Sequence, residues 1–139
     1  MLETSTQFRI HYALTDQMGF VYYGNYAQFF EIGRVEAIRS LGITYKTLEQ
    51  MGVLLPVVDF TAKYIRPVTY DELITIKTTL REMPTGSKII FYSDVFGEDG
   101  RISCRGTVAL HFVDKITLKS MPMPAALQRL LEPHFTTAH

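Results

Sequence analysis

The sequence predicts an α+β fold, a curved antiparallel five-stranded sheet wrapped around one long central helix. Three observations predict it. Five segments alternate polar and apolar residues with period two, as strands do. One segment, from about residue 22 to residue 41, is instead apolar at helical spacing over most of its circumference. The four strands after it are joined by short turns, which makes their sheet antiparallel with one apolar face.

The first strand is expected over residues 7–13, Gln7 to Ala13, followed by a polar loop from Leu14 to Gly19. Around Tyr22 the period changes. Tyr26, Phe30, Gly33, Ala37 and Leu41 step by four or three, and Phe29, Ile32 and Ile38 widen that face. On the polar remainder Glu31 is read as pairing with Arg34, and Glu36 with Arg39, both at i,i+3. Gly33 in mid-helix costs about 1 kcal/mol against alanine, which suggests close approach to another backbone. Gly42 is a natural stop. Thr44 suits the cap of a short second helix reaching Gln50 and ended by Gly52.

The remaining strands come in series. Val58, Phe60, Ala62 and Tyr64 alternate up to Pro67, and Ile74, Ile76, Thr78 and Leu80 form the next apolar row. Pro84-Thr85-Gly86 is a turn. Ile89, Phe91 and Val95 share a face, Gly97 to Gly100 form a hairpin loop, and Ile102, Cys104, Val108, Leu110 and Phe112 share a face in the last strand. Ala125 to Leu131 form a final short helix after Pro122 and Pro124. The long apolar helix needs cover, and the apolar sheet face supplies it.

A chain of 139 residues is one domain by length, and no repeat or composition break divides residues 1–139. Lys plus Arg is 14 and Asp plus Glu is 14, a balance that gives no electrostatic reason to expect nucleic acid. The zero net charge also favours self-association. Cys104 has no partner for an internal disulfide, which fits a reducing compartment. Residues 1–10 have no apolar run, so no signal peptide is expected. No stretch approaches the roughly 20 apolar residues of a membrane helix. The expectation is a cytoplasmic protein without membrane insertion.

Chemistry has few places to sit. His11, His111, His134 and His139 are scattered, no metal spacing is present, and no motif calls for a cofactor. A Gly-x-Ser-x-Gly elbow and a Walker loop are both missing. What remains is Thr15-Asp16-Gln17-Met18-Gly19-Phe20-Val21-Tyr22-Tyr23-Gly24-Asn25-Tyr26, between the first strand and the apolar helix. A helix N-terminus offers unpaired N–H groups at the positive end of a dipole. Tyr23 and Gly24 would supply such groups to a carbonyl oxygen if the helix starts there. Asp16 would then attack an activated ester directly or take a proton from water. An Asp in this place also commonly caps a helix or closes a loop hydrogen bond, and spacing leaves both roles open.

At this loop the chain resembles the 4-hydroxybenzoyl-CoA thioesterase family of hot-dog proteins, including its Tol-Pal-associated acyl-CoA thioesterase branch. The family pattern is Thr/Cys-Asp-x-x-Gly-x-Val-x-x-x-x-Tyr with a Glu and an Arg along the helix, matched here from Thr15 to Tyr26 with Glu31 and Arg34. Similar features continue in Tyr64-Ile65-Arg66-Pro67, Tyr70-Asp71-Glu72-Leu73 and Phe112-Val113-Asp114. The resemblance implies an acyl-CoA thioesterase with Asp16 as the essential carboxylate and the Tyr23 N–H on the thioester carbonyl. It also implies homodimers joined sheet edge to sheet edge, often paired into homotetramers, with active sites between subunits. The Tol-Pal-associated branch commonly has His where this chain has Tyr23, whereas the 4-hydroxybenzoyl-CoA branch has Tyr. Another hot-dog group uses a Glu on the central helix, for which Glu31 is the counterpart.

Other residues are weighed beside these. Lys63 and Arg66, near one strand end, are candidates for the phosphates of CoA, though solvated surface charge explains them equally. Asn25 is a candidate for substrate contact or for a cap. Phe20, Phe29, Met51, Leu54 and Leu55 are candidates for pocket lining, and Cys104 reads as a buried inert thiol. Three alternatives stand against acyl-CoA hydrolysis. An acyl carrier protein could deliver the acyl group. A dehydratase would need a His beside a carboxylate, and the Asp16 loop has none. A binding module would use the same groove without turnover.

Overall fold

The computed structural model describes residues 1–136, and His139 lies outside them. The main sheet has five antiparallel strands, β1 (Leu2–Arg9), β3 (Val57–Tyr64), β4 (Leu73–Leu80), β5 (Lys88–Phe96) and β6 (Ile102–His111), in the order β1-β4-β5-β6-β3. The helices are α1 (Tyr26–Arg39), α2 (Tyr45–Gln50) and α3 (Ala125–Phe135). A two-stranded ribbon pairs β2 (Val53–Leu54) with β7 (Val113–Asp114). The fold class is therefore α+β with a five-stranded antiparallel sheet, as the strand periodicity predicted.

Residues buried on α1 are Tyr26, Phe29, Phe30, Gly33, Arg34, Ala37 and Ile38, one continuous helical stripe. That stripe meets the inner face of the sheet, where Ile74, Ile76, Ile89, Phe91 and Leu110 are almost wholly buried. Gly33 lies close against side chains of β4 and not against another backbone as expected. A β-carbon there would overlap the Thr78 hydroxyl and sit 2.8 Å from Ile76 Cγ2. Gly33→Ala is accordingly expected to lower stability by about 1 kcal/mol, since crowding outweighs the gain in helix propensity. Thermal melts check this, and a raised Tm would contradict it.

Several elements differ from the sequence prediction. The first strand starts at Leu2 and ends at Arg9, not at residues 7–13. Its inward positions are Leu2, Thr4, Thr6 and Phe8, and the two threonines hide the period from an apolar count. Threonine is nonetheless suited to a half-buried strand. After Ile10 the chain turns through a 3-10 helix, Tyr12–Leu14. Strand β3, one of the two edge strands, does not have a buried apolar face, and only Ala62 on it is partly covered. Val57, Val58, Phe60 and Tyr64 are all more than a third exposed. Arg34 does not pair with Glu31. It is buried beside Tyr45, whose phenol burial pushes up to about 12 against the pull of that guanidinium. The second expected pair does form, with Arg39 Nε 3.3 Å from Glu36 Oε1. Thr44 caps α2 by accepting from the Thr47 N–H at 3.0 Å.

Candidate active site

The Asp16 loop folds as a tight turn. The Asp16 N–H donates to the Phe20 carbonyl at 2.8 Å, and the Gly19 N–H donates back to the Asp16 carbonyl at 3.0 Å. Gly19 has φ +78°, the left-handed region that glycine enters freely. The Asp16 carboxylate closes the turn through one oxygen only. Its Oδ1 accepts from the Met18 N–H at 2.8 Å and the Phe20 N–H at 3.3 Å. No donor among the described residues engages Oδ2. The turn is tied to the rest of the chain by Val21 N–H to the Val68 carbonyl, 2.7 Å, and Tyr22 N–H to the Leu14 carbonyl, 2.9 Å. The side chain thus holds its own loop and keeps one oxygen free.

The α-helix begins at Tyr26, later than the residue 22 or so that the sequence suggested, and a 3-10 turn, Tyr23–Asn25, runs directly into it. Neither the Tyr23 nor the Gly24 N–H has an acceptor among the described residues. Such groups are the unpaired donors of a helix start. Gly24 lets the Tyr22 ring lie over this turn, since a β-carbon there would sit 2.7 Å from Tyr22 Cε2. Asn25 does not cap the helix. Its Nδ2 donates to the Leu14 carbonyl at 2.9 Å, binding the helix start to the far end of the loop.

Asp16, Phe20, Val21, Tyr23 and Tyr26 line one side of a cleft of about 330 Å³, and Tyr64, Ile65, Arg66 and Pro67 line the other. A hydrogen-bonded chain holds the second wall. The Ser103 hydroxyl donates to the Arg66 carbonyl at 2.7 Å, so the Tyr26 hydroxyl, 2.9 Å from Ser103 Oγ, must be the donor in that contact. The Ser103 carbonyl also accepts from the N–H groups of Ile65 and Arg66. Tyr64 reaches across, donating to the Tyr23 carbonyl at 3.1 Å.

Of the residues singled out in the sequence, the cleft gathers Asp16, Tyr23 and Arg66, with Gly24 and Asn25 adjoining. Lys63 lies elsewhere. It stands opposite Arg105 on the outer face of the sheet, in a groove with Arg81, Tyr92 and Asp94. Strand alternation explains this, because Lys63 and Tyr64 point to opposite faces. Phe20 lines the cleft, but Phe29 is fully buried in the core, and Met51, Leu54 and Leu55 lie outside the cleft walls. Cys104 is buried as expected, and burial pushes its thiol up to about 11. Ser103 and the reach of Tyr64 were not read from the sequence. Tyr64 stood within a noted motif, whereas Ser103 carries no local signal.

Comparisons with known proteins show the family. The profile described as the thioesterase-like superfamily matches residues 10–131. The chain is 35% identical over 113 residues to "Putative acyl-CoA thioesterase YneP" of Bacillus subtilis, covering 81% of each chain. It is 30% identical over 127 residues to the acyl-CoA thioesterase YbgC of Haemophilus influenzae, covering 89% of this chain and 92% of that one. The crystal structure of a DHNA-CoA thioesterase from Staphylococcus aureus superposes with a TM-score of 0.84 at 29% identity, over 97% of this chain and 85% of that one.

Proposed function

Because the chain belongs to the thioesterase-like superfamily and is a thioester hydrolase, we propose that it cleaves acyl-CoA to free acid and CoA, with Asp16 as nucleophile or general base. The observation that carries this reading is the pairing of a carboxylate oxygen without a hydrogen-bond donor with two unpaired helix-start N–H groups, on Asp16 and on Tyr23 and Gly24. As nucleophile, Asp16 bonds to the thioester carbon and the C–S bond breaks, releasing CoA thiolate. Water then hydrolyses the mixed anhydride. As general base, Asp16 takes a proton from the water that attacks the same carbon, the same C–S bond breaks, and the proton passes to the departing CoA sulfur. In both routes the carbonyl oxygen gains charge in the transition state, and N–H donors fixed in advance stabilise it.

Arg66 is the residue we assign to the phosphates of CoA, since it lies on the cleft wall as a planar multidentate donor. Lys63 reaches the phosphates only if CoA crosses the strand edge, and Asn25 acts on substrate through the loop it holds. Within the superfamily, the Tyr at position 23 fits the 4-hydroxybenzoyl-CoA branch better than the Tol-Pal-associated one. We read α1 as the single central helix of a hot-dog domain spanning residues 1–139, in a cytoplasmic protein.

The subunits are proposed to pair through β3. It is a long outer strand whose exposed residues include Val57, Val58, Phe60 and Tyr64, and such edges invite a second chain. Light scattering is expected to give twice the chain mass, or four times it if dimers pair. A monomer at micromolar concentration would contradict the pairing.

The activity is tested by quantifying CoA thiol and free acid from a panel of short, long and benzoyl-type acyl-CoAs, with acyl carrier protein thioesters in parallel. Equimolar release from at least one acyl-CoA is expected. Release from carrier protein alone would move the substrate class to acyl carrier protein. Tight binding without release from any substrate would make the chain a binding module.

A further inference from the structure

The Tyr64 hydroxyl is the only side-chain group among the described residues that hydrogen-bonds the backbone of the Tyr23–Asn25 turn from outside it. The bond is 3.1 Å long, and a carbonyl oxygen has nothing to donate, so Tyr64 is the donor. The phenol keeps its proton for this purpose. Burial, with Cys104 and Tyr23 alongside, raises it above its ordinary value. The Tyr64 ring is seated edge-on against two others, at 6.1 Å from Tyr23 and 5.3 Å from Tyr26. Beneath it the Tyr26–Ser103–Arg66 chain fixes the end of β3.

What Tyr64 grips has a consequence for the donors. The Tyr23 carbonyl and the Gly24 N–H belong to one planar peptide unit, so fixing the oxygen fixes the direction of the N–H. The Tyr23 N–H belongs to the preceding peptide, two torsions away, so the restraint acts directly on the Gly24 N–H. Glycine at position 24 cannot restrain this peptide itself, having the widest conformational range of any residue. A hydrogen bond accepted by the carbonyl also polarises its peptide and strengthens the N–H as a donor. The Tyr23 carbonyl already accepts from the Tyr26 N–H within the turn, so the phenol is a second and independent restraint.

We propose that Tyr64 is a positioning residue, which locks the Tyr23–Gly24 peptide from β3 and so presents the Gly24 N–H to the thioester carbonyl. This rests on the reading of the Asp16 cleft given above. It assigns a role in turnover to a strand residue that need not touch the reacting atoms.

The test is Tyr64→Phe, which keeps the ring and its packing and removes only the hydroxyl. The substrate is benzoyl-CoA or palmitoyl-CoA, whichever the wild type turns over faster. The expected result is a kcat about tenfold lower, with KM and Tm unchanged, because the lost restraint matters most when charge develops on the carbonyl oxygen. A second readout needs no turnover. The carbonyl stretch of the same thioester bound to Asp16→Asn should lie below its solution frequency, and adding Tyr64→Phe should bring it back toward that value. A kcat within twofold of wild type, or an unmoved carbonyl band, overturns the proposal. So does a rate loss matched by an equal fall in Tm, which marks a packing role. If the wild type turns over neither of these nor any other acyl-CoA of the panel, the acyl-CoA reading fails and this one with it. If Asp16→Asn is inactive and Tyr64→Phe is fully active, only the role of Tyr64 fails.

Discussion

Asp16→Asn is expected to lower kcat for acyl-CoA hydrolysis at least about a hundredfold, the range for losing an acid–base group, while leaving the fold intact. The geometry allows one substitution to separate the loop-closing role of this side chain from its proposed catalytic one. Oδ1 closes the turn by accepting from the Met18 and Phe20 N–H groups. An asparagine oxygen accepts both bonds equally well, so the loop keeps its shape. The amide nitrogen then occupies the place of Oδ2, where it can neither attack a carbonyl carbon nor take a proton. The Tm should therefore move little. Asp16→Ala is expected to be equally slow but less stable by about 1–2 kcal/mol, because two loop N–H groups lose their acceptor. Similar activity in wild type and Asp16→Asn, with only Asp16→Ala impaired, would make Asp16 a turn residue. Thiol release and thermal melts on the three proteins read this directly.

Gly106→Ala is expected to be more damaging than alanine at any other glycine, lowering stability by about 3 kcal/mol. Gly106 lies mid-strand in β6, between Ser93 of β5 and Ala62 of β3. A β-carbon there would overlap the Thr61 carbonyl oxygen and sit 2.7 Å from Phe30 Cε2. The first obstacle is backbone and cannot rotate away. The second is a fully buried ring at the centre of α1. Relief requires β3 to move off β6, and β3 carries Tyr64 and the cleft wall that follows it. The variant should lose about 10 °C in Tm and lose activity with it. Gly33→Ala should be milder, because there the overlap is with the Thr78 and Ile76 side chains and no backbone stands in the way. A Gly106→Ala protein as stable as wild type would contradict the packing described for this strand.

These two positions also show what a sequence can and cannot disclose. Asp16, Tyr23 and Gly24 were legible because loop, donors and helix start are contiguous, so one stretch carries the whole motif. The apolar rows Ile74-Ile76-Thr78-Leu80 and Ile89-Phe91-Val95 were legible because each strand buries one face against α1. β1 was misplaced because threonines occupy its inward positions. The ribbon of β2 with β7 was missed because two residues have no period to detect. Phe29 looked like pocket lining, yet the helical stripe turns it wholly into the core. Arg66 and Lys63 looked equivalent as nearby cations. The strand ends at Tyr64, so one lies on the cleft wall and the other on the outer face. Ser103 and Tyr64 act across long sequence separations set by sheet register, which periodicity does not encode.

The most direct test of the account is a single-turnover experiment with enzyme in excess over one acyl-CoA that the panel shows to be a substrate, comparing wild type with Asp16→Asn. With product release removed from the kinetics, the thiol signal reports the bond-breaking step alone. One rapid equivalent of thiol is expected from the wild type. Bound but intact thioester is expected on Asp16→Asn over the same interval, with similar affinity. Equal thiol release from the two proteins would contradict this expectation, and would place the chemistry somewhere other than the Asp16 cleft.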